Sequence, residues 1–85
     1  MAGWPNWWEW TVVFTGHAEL RMEQRAVSEL DVRAMLHGAR GFAPSVVPGR
    51  FMIDTTHAGR SWIVIVEPDM TEQLLVVVTV YEVNP

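Results

Sequence analysis

Cysteine and lysine are both missing from this 85-residue chain. Without cysteine there is no disulfide, no thiolate metal site and no thiol nucleophile, so no cross-link can supplement the core of so short a chain. The absence fits a reducing cytoplasm. No stretch approaches the roughly 18 apolar residues of a membrane span, and no charged, apolar and small-residue succession forms a signal peptide. A soluble cytoplasmic protein with no membrane partner is expected. A glycine-rich phosphate loop, a GxSxG elbow and an HxxxH pair are absent too. His17, His37 and His57 lie too far apart to describe a zinc site, so neither metal nor other cofactor is expected.

Positive charge is scarce: six arginines stand against ten acidic residues, for a net charge of −4. That balance excludes a broad electrostatic surface for nucleic acid, and any anion site must be local. Arginine suits bidentate contact with carboxylate or phosphate, although a GC-rich genome would also favour its codons.

What is present reads as one domain over residues 1–85. Residues 1–10 hold four of the five tryptophans, Trp4, Trp7, Trp8 and Trp10. Such a segment serves either as a cap on the core or as an oligomer or partner surface, since tryptophan anchors interfaces out of proportion to its frequency. An extended run through Thr11-Val12-Val13-Phe14 can follow it. Residues 15–38 read as a helical hairpin. Thr15 is the first N-cap, Ala18, Met22 and Ala26 give an apolar edge, and Ser28-Glu29-Leu30-Asp31 resembles a capping box flanked by the staple Val27/Val32. Gly38 stops the second helix, with Arg33 and His37 near its negative end. Gly41 to Gly49 is a connector with room for a short edge segment. Residues 50–82 then alternate as an antiparallel meander, with a loop at His57-Ala58-Gly59 and a turn at Pro68-Asp69-Met70-Thr71. The expected architecture is α+β: two N-terminal helices packed on one face of a 3–4-stranded antiparallel sheet.

One pattern stands out. His17, Arg21 and Arg25 recur every fourth residue, which on a helix stacks three basic groups into a ridge. Like charges at this spacing repel, by about 0.2–0.5 kcal/mol per pair, and Glu19 and Glu23 fall on another side. A partner off the helix is needed: an internal carboxylate, with Asp54, Glu67, Asp69 and Glu82 the candidates, or an anionic ligand. If the ridge lies over the end of the last strand, Thr79 and Tyr81 complete a cleft that Arg60 can join. Such a set suits RNA cleavage without a metal. Imidazole exchanges protons near neutrality, so His17 is the acid/base candidate. Arg21 and Arg25 would hold the phosphate oxygens, and Tyr81 would orient the phosphate or stack on a base.

The run Phe14-Thr15-Gly16-His17-Ala18-Glu19-Leu20-Arg21-Met22-Glu23-Gln24-Arg25-Ala26-Val27-Ser28 resembles the T-x-H-A-x-x-R-M-x-x-R-x-I-S opening of the bacterial family called domain of unknown function 4258. Asp31-Val32, Gly59-Arg60 and Val78-Thr79-Val80-Tyr81 continue the resemblance. That family is similar to the RelE/BrnT-like toxin nucleases. The resemblance implies a compact RelE-like α+β fold, and beyond it RNA cleavage or toxin activity held in check by an antitoxin or immunity protein. The matching positions are His17, Arg21, Arg25 and Tyr81 as catalytic candidates, with Arg60 and Thr79 binding substrate. Two departures are Ala26, where the family usually has glycine, and the acidic balance, since RelE-like ribonucleases are usually basic. Two functions are carried forward: a metal-independent, toxin-like ribonuclease, and a non-catalytic interaction module whose arginine ridge is paired internally and whose Trp-rich opening binds protein or a second copy.

Overall fold

The computed structural model describes residues 3–84. A short 3-10 turn over Asn6–Glu9 leads into β1 (Thr11–Phe14). Helices α1 (Gly16–Gln24) and α2 (Glu29–His37) follow, then β2 (Gly41–Pro44), β3 (Phe51–His57), β4 (Arg60–Asp69) and β5 (Leu74–Glu82). The sheet has five strands in the order β1-β5-β4-β3-β2, with β1 parallel to β5 and every other pair antiparallel.

The α+β class holds, but the expected sheet needs correcting. It is mixed and five-stranded rather than antiparallel with three or four strands, and the helices follow the first strand. Thr11–Phe14 has no sequence neighbour to pair with. It reaches the sheet by lying beside β5, the last strand, and the long intervening chain permits a parallel pair where a hairpin would not. Gly41–Pro44 joins as the opposite edge, with Pro44 at the strand end, where its missing N–H costs little.

Local signals place the helices. Thr15 Oγ1 accepts from the Ala18 N–H (2.9 Å) and caps α1. The Ser28 hydroxyl accepts from the Asp31 N–H (3.1 Å) while the Asp31 carboxylate accepts from the Ser28 N–H (2.8 Å), so the capping box is complete. Between the helices Ala26 has φ 57°. Its N–H donates to Glu23 O, and the Val27 N–H to Met22 O, which is a Schellman closure with Met22 and Val27 both buried. A left-handed alanine costs roughly 1–2 kcal/mol, part of which glycine would give back in chain entropy. Ala26→Gly is therefore expected to raise stability by about 0.5–1 kcal/mol, read from the urea midpoint at unchanged slope.

Both helices cover one face of the sheet, α1 over β5 and α2 over β3. Ala18, Met22, Val32 and Met35 meet Ile53, Val64, Val66, Leu75, Val77 and Val80 in the core. Among the described residues Thr55 is the one buried polar or charged residue, and its hydroxyl donates to Met35 O and ties α2 to β3. Arg33 donates to Val12 O (3.2 Å) and lies 5.3 Å from the Phe14 ring centre, fastening α2 to β1. The aromatic opening completes this layer. Trp7 is buried and packs on Phe51 (4.9 Å between ring centres), while Trp4 packs on Phe42 (4.9 Å) and on Trp8 (4.3 Å). Of the two roles open to it, the opening takes the cap: much of the surface an oligomer would use is spent on the chain's own core.

The β3–β4 loop is only the pair Ala58-Gly59, both at positive φ, which matches the right-handed twist of a two-residue hairpin. His57 is therefore the last residue of β3 and not part of the loop. The second turn comes later than expected. Pro68 and Asp69 stay in β4, and the Asp69 side chain accepts from the Thr71 and Glu72 N–H groups (3.0 Å each) to bend the chain.

Candidate phosphate-binding ridge

Helix α1 starts beside the middle of β5, where the Thr15 N–H donates to Val77 O (3.2 Å) and the Thr15 hydroxyl to Val78 O (3.4 Å). Its far end, Arg25, lines a cavity with Trp62, Tyr81 and Glu82. The helix thus runs along β5 toward that strand's C-terminal end. Glu19 and Glu23 line the groove facing Ser28 and Glu29 of α2. The ridge occupies the other flank, toward the part of β5 beyond Val77 that β1 does not cover.

The Arg25 N–H still donates to Arg21 O (3.0 Å), so the third ridge member keeps the helical turn although it caps the helix. His17 is exposed, and Arg21 is half-buried with its guanidinium donating to Gln24 Oε1 (3.0 Å). Four of the chain's arginines have carboxylate partners: Arg33–Glu29 (4.0 Å), Arg40–Asp54 (2.9 Å), Arg50–Glu67 (2.9 Å) and Arg60–Glu82 (3.0 Å). Arg21 and Arg25 are the two that form no ion pair among the described residues. Internal carboxylates therefore satisfy the scattered arginines and leave the ridge alone.

Thr79 and Tyr81 are placed differently from the expectation. Leu75 and Val77 face the helices, and simple alternation would send Thr79 and Tyr81 there too. A β-bulge intervenes: Val66 pairs with Val77 but Ile65 with Thr79, leaving Val78 as an extra residue. Alternation restarts one residue later. Val80 enters the core, while Thr79 and Tyr81 stand across from Ile65 and Ile63 on the sheet's other face. Thr79 is half-buried there and away from the ridge. Tyr81 still borders the Arg25 cavity, at the uncovered edge of β5. Arg60 reaches the same end of the sheet but is committed to Glu82.

Two further residues enter the site that spacing did not single out. Trp62 is 6% exposed and its Nε1 has no hydrogen-bond partner in the protein. His57 stands edge-on to the Trp62 ring (5.7 Å between centres) on the helix side of β3. It also lies near Asp31, whose carboxyl is held below its usual range, first by the Ser28 N–H, then by the Ser28 hydroxyl and in small part by His57. On the opposite flank of α1 a hydrogen bond shared with Glu29 pushes Glu19 up, with slight desolvation and the Glu29 charge acting the same way. Acidic groups thus crowd one side of α1 while the arginines hold the other.

Residues 14–82 match the family described as Domain of unknown function (DUF4258). The chain belongs to that family. No match is found among curated proteins or among solved structures. The geometry sorts the DUF4258 opening into two sets. Thr15 caps α1 and hooks it to the bulge, Ala18, Met22 and Val27 are buried, and Ser28 caps α2. Each of these is accounted for by folding. His17, Arg21 and Arg25 are the polar members left over. The Trp-rich opening lies outside the matched residues, and no helix among the described residues is long and apolar enough to cross a membrane.

Proposed function

We propose that the protein is a metal-independent, toxin-like ribonuclease, with RNA phosphate seated on the ridge. The observation that carries this reading is that Arg21 and Arg25, alone among the six arginines, have no carboxylate partner among the described residues. Two unneutralised guanidiniums on adjacent turns offer planar, charge-assisted donors to non-bridging phosphate oxygens, whose charge rises in the transition state. His17, one turn before Arg21, takes the proton of the ribose 2′-hydroxyl. The 2′ oxygen then bonds to phosphorus as the bond to the 5′ oxygen breaks, and the departing oxygen takes up a proton. The products are a 2′,3′-cyclic phosphate and a 5′-hydroxyl. Tyr81, at the edge of the Arg25 cavity, orients the phosphate or stacks on a base. Arg60 supports the site through Glu82, and the bulge removes Thr79 from it.

The interaction-module reading has less support, because it needs the ridge arginines paired internally and the tryptophans free. The acidic balance of the chain fits a site that is local rather than a broad basic surface. Single-stranded RNA incubated with the purified protein in the presence of a metal chelator is expected to be cut, with cyclic phosphate ends identified by mass spectrometry. Intact RNA at equimolar protein would sink the proposal.

A further inference from the structure

We infer that Gln24 is a positioning residue for the phosphate seat: its neutral amide fixes the Arg21 guanidinium without neutralising it. The inference rests on the ribonuclease reading for the ligand, but its own support lies in the hydrogen bonds of the arginines.

Arg21 Nη1 donates to Gln24 Oε1 at 3.0 Å. An arginine has only donors, so the amide must present its oxygen to the guanidinium. The other arginines that bond to a side chain all bond to a carboxylate: Arg40 to Asp54, Arg50 to Glu67 and Arg60 to Glu82. Arg21 is the one arginine among the described residues whose side-chain partner is uncharged. A carboxylate in that place would form an ion pair and compete with an incoming anion. An amide oxygen holds the fork and leaves its charge to be met from outside.

Residues three apart on a helix are surface neighbours, so Gln24, the last residue of α1, reaches Arg21 within one turn. Seen down the axis, Gln24 lies about 60° from Arg21 in one sense and Arg25 about 40° in the other. The bond therefore anchors the Arg21 guanidinium on the side away from Arg25, and the two like charges are not drawn together. It also spends a particular part of the fork. The guanidinium is a rigid plane of five N–H donors, and those on Nε and Nη2 lie parallel along one edge. The contact through Nη1 leaves that edge free. Parallel donors of this kind match two oxygens of one phosphate. Gln24 itself is exposed, so its amide supplies direction and little packing.

Two substitutions at Gln24 and one control separate positioning from packing and from net charge. The Nε–H resonance of Arg21 is followed by NMR as inorganic phosphate is added, and RNA cleavage is measured on the same proteins. Phosphate is expected to shift that resonance in the parent. Gln24→Glu puts a carboxylate beside Arg21 and should weaken phosphate binding there by at least about fivefold. Thr56→Glu adds the same charge at an exposed position of β3, on the sheet face away from the helices. At about 0.1 M salt a charge so placed is screened, and the affinity should stay within about twofold. Gln24→Ala should melt like the parent yet lower kcat about three- to tenfold at nearly unchanged KM, because the charge remains but is no longer held in line. Unchanged phosphate affinity in Gln24→Glu, an equal loss in Thr56→Glu, or unchanged kcat in Gln24→Ala would each overturn the inference. A parent that binds phosphate at Arg21 yet leaves RNA uncut would refute the ribonuclease reading alone. The phosphate affinities of the Gln24→Glu and Thr56→Glu proteins would then still decide the role of Gln24.

Discussion

Replacing His17 by alanine is expected to lower RNA cleavage by about 10²–10⁴-fold, the range for losing a general acid or base, and to relieve any growth defect caused by expression. The His17 side chain is exposed and makes no hydrogen bond among the described residues, and Ala18 beside it carries the packing at this turn. The variant should therefore fold with an unchanged melting curve, and the lost activity can be assigned to chemistry. Arg21→Ala and Arg25→Ala should each cost about 10²–10³-fold, as expected for a group that stabilises developing negative charge. Arg40→Ala, which breaks an exposed pair with Asp54 on the far side of the sheet, should cost nothing. Cleavage undiminished in His17→Ala would remove the imidazole from the mechanism. Loss of activity in Arg40→Ala as well would mean that net charge matters and not the ridge.

The largest stability effect is expected at Trp7. It is 4% exposed and packs against Phe51 and Phe42 from a segment outside the family match. Removing a buried tryptophan side chain costs about 3–5 kcal/mol, whereas a chain of this size has only about 4–13 kcal/mol in total. Trp7→Ala should therefore be close to unfolded at 37 °C and show a urea midpoint far below that of the parent. Trp4→Ala, partly buried and more distant from the core, should lose less. A Trp7→Ala protein that melts like the parent but loses self-association would reverse the assignment and make the opening an interface.

Much of the helical half was legible from residue types. Thr15, Ser28 and Asp31 announce helix starts because their side chains can satisfy only the nearby N–H groups, and both caps form as read. Such interactions span three residues, so sequence order nearly determines them. The strands of the meander were also visible, from β-branched runs separated by turn residues. The position of β1 was not. Four apolar residues can be edge, core or connector, and only the uncovered side of β5, more than sixty residues later, decides which.

The same limit applies to the site. Leu74 to Val78 is apolar on both faces, so no polar residue before Thr79 betrays where the alternation slips at Val78. With no pattern to break, the bulge that turns Thr79 and Tyr81 away from the helices left no mark. Trp62 carried no mark within its apolar strand, and Glu82 stood only as one of four carboxylates that could have neutralised the ridge. Their relation to Arg25 exists only once α1 lies along β5.

By itself, the sequence determined the ridge, since the spacing of His17, Arg21 and Arg25 follows from helical periodicity alone. It also determined that any anion site would be small, since six arginines must serve an acidic chain. Whether that ridge was neutralised from within was a matter for the tertiary structure. Ion pairs join residues that are distant in the chain, and the sheet carries Asp54, Glu67 and Glu82 to Arg40, Arg50 and Arg60 and brings none of them into an ion pair with Arg21 or Arg25. A direct ion pair forms only where the charged groups come within about 4 Å, so the partner of a charge is set by where the fold leaves it.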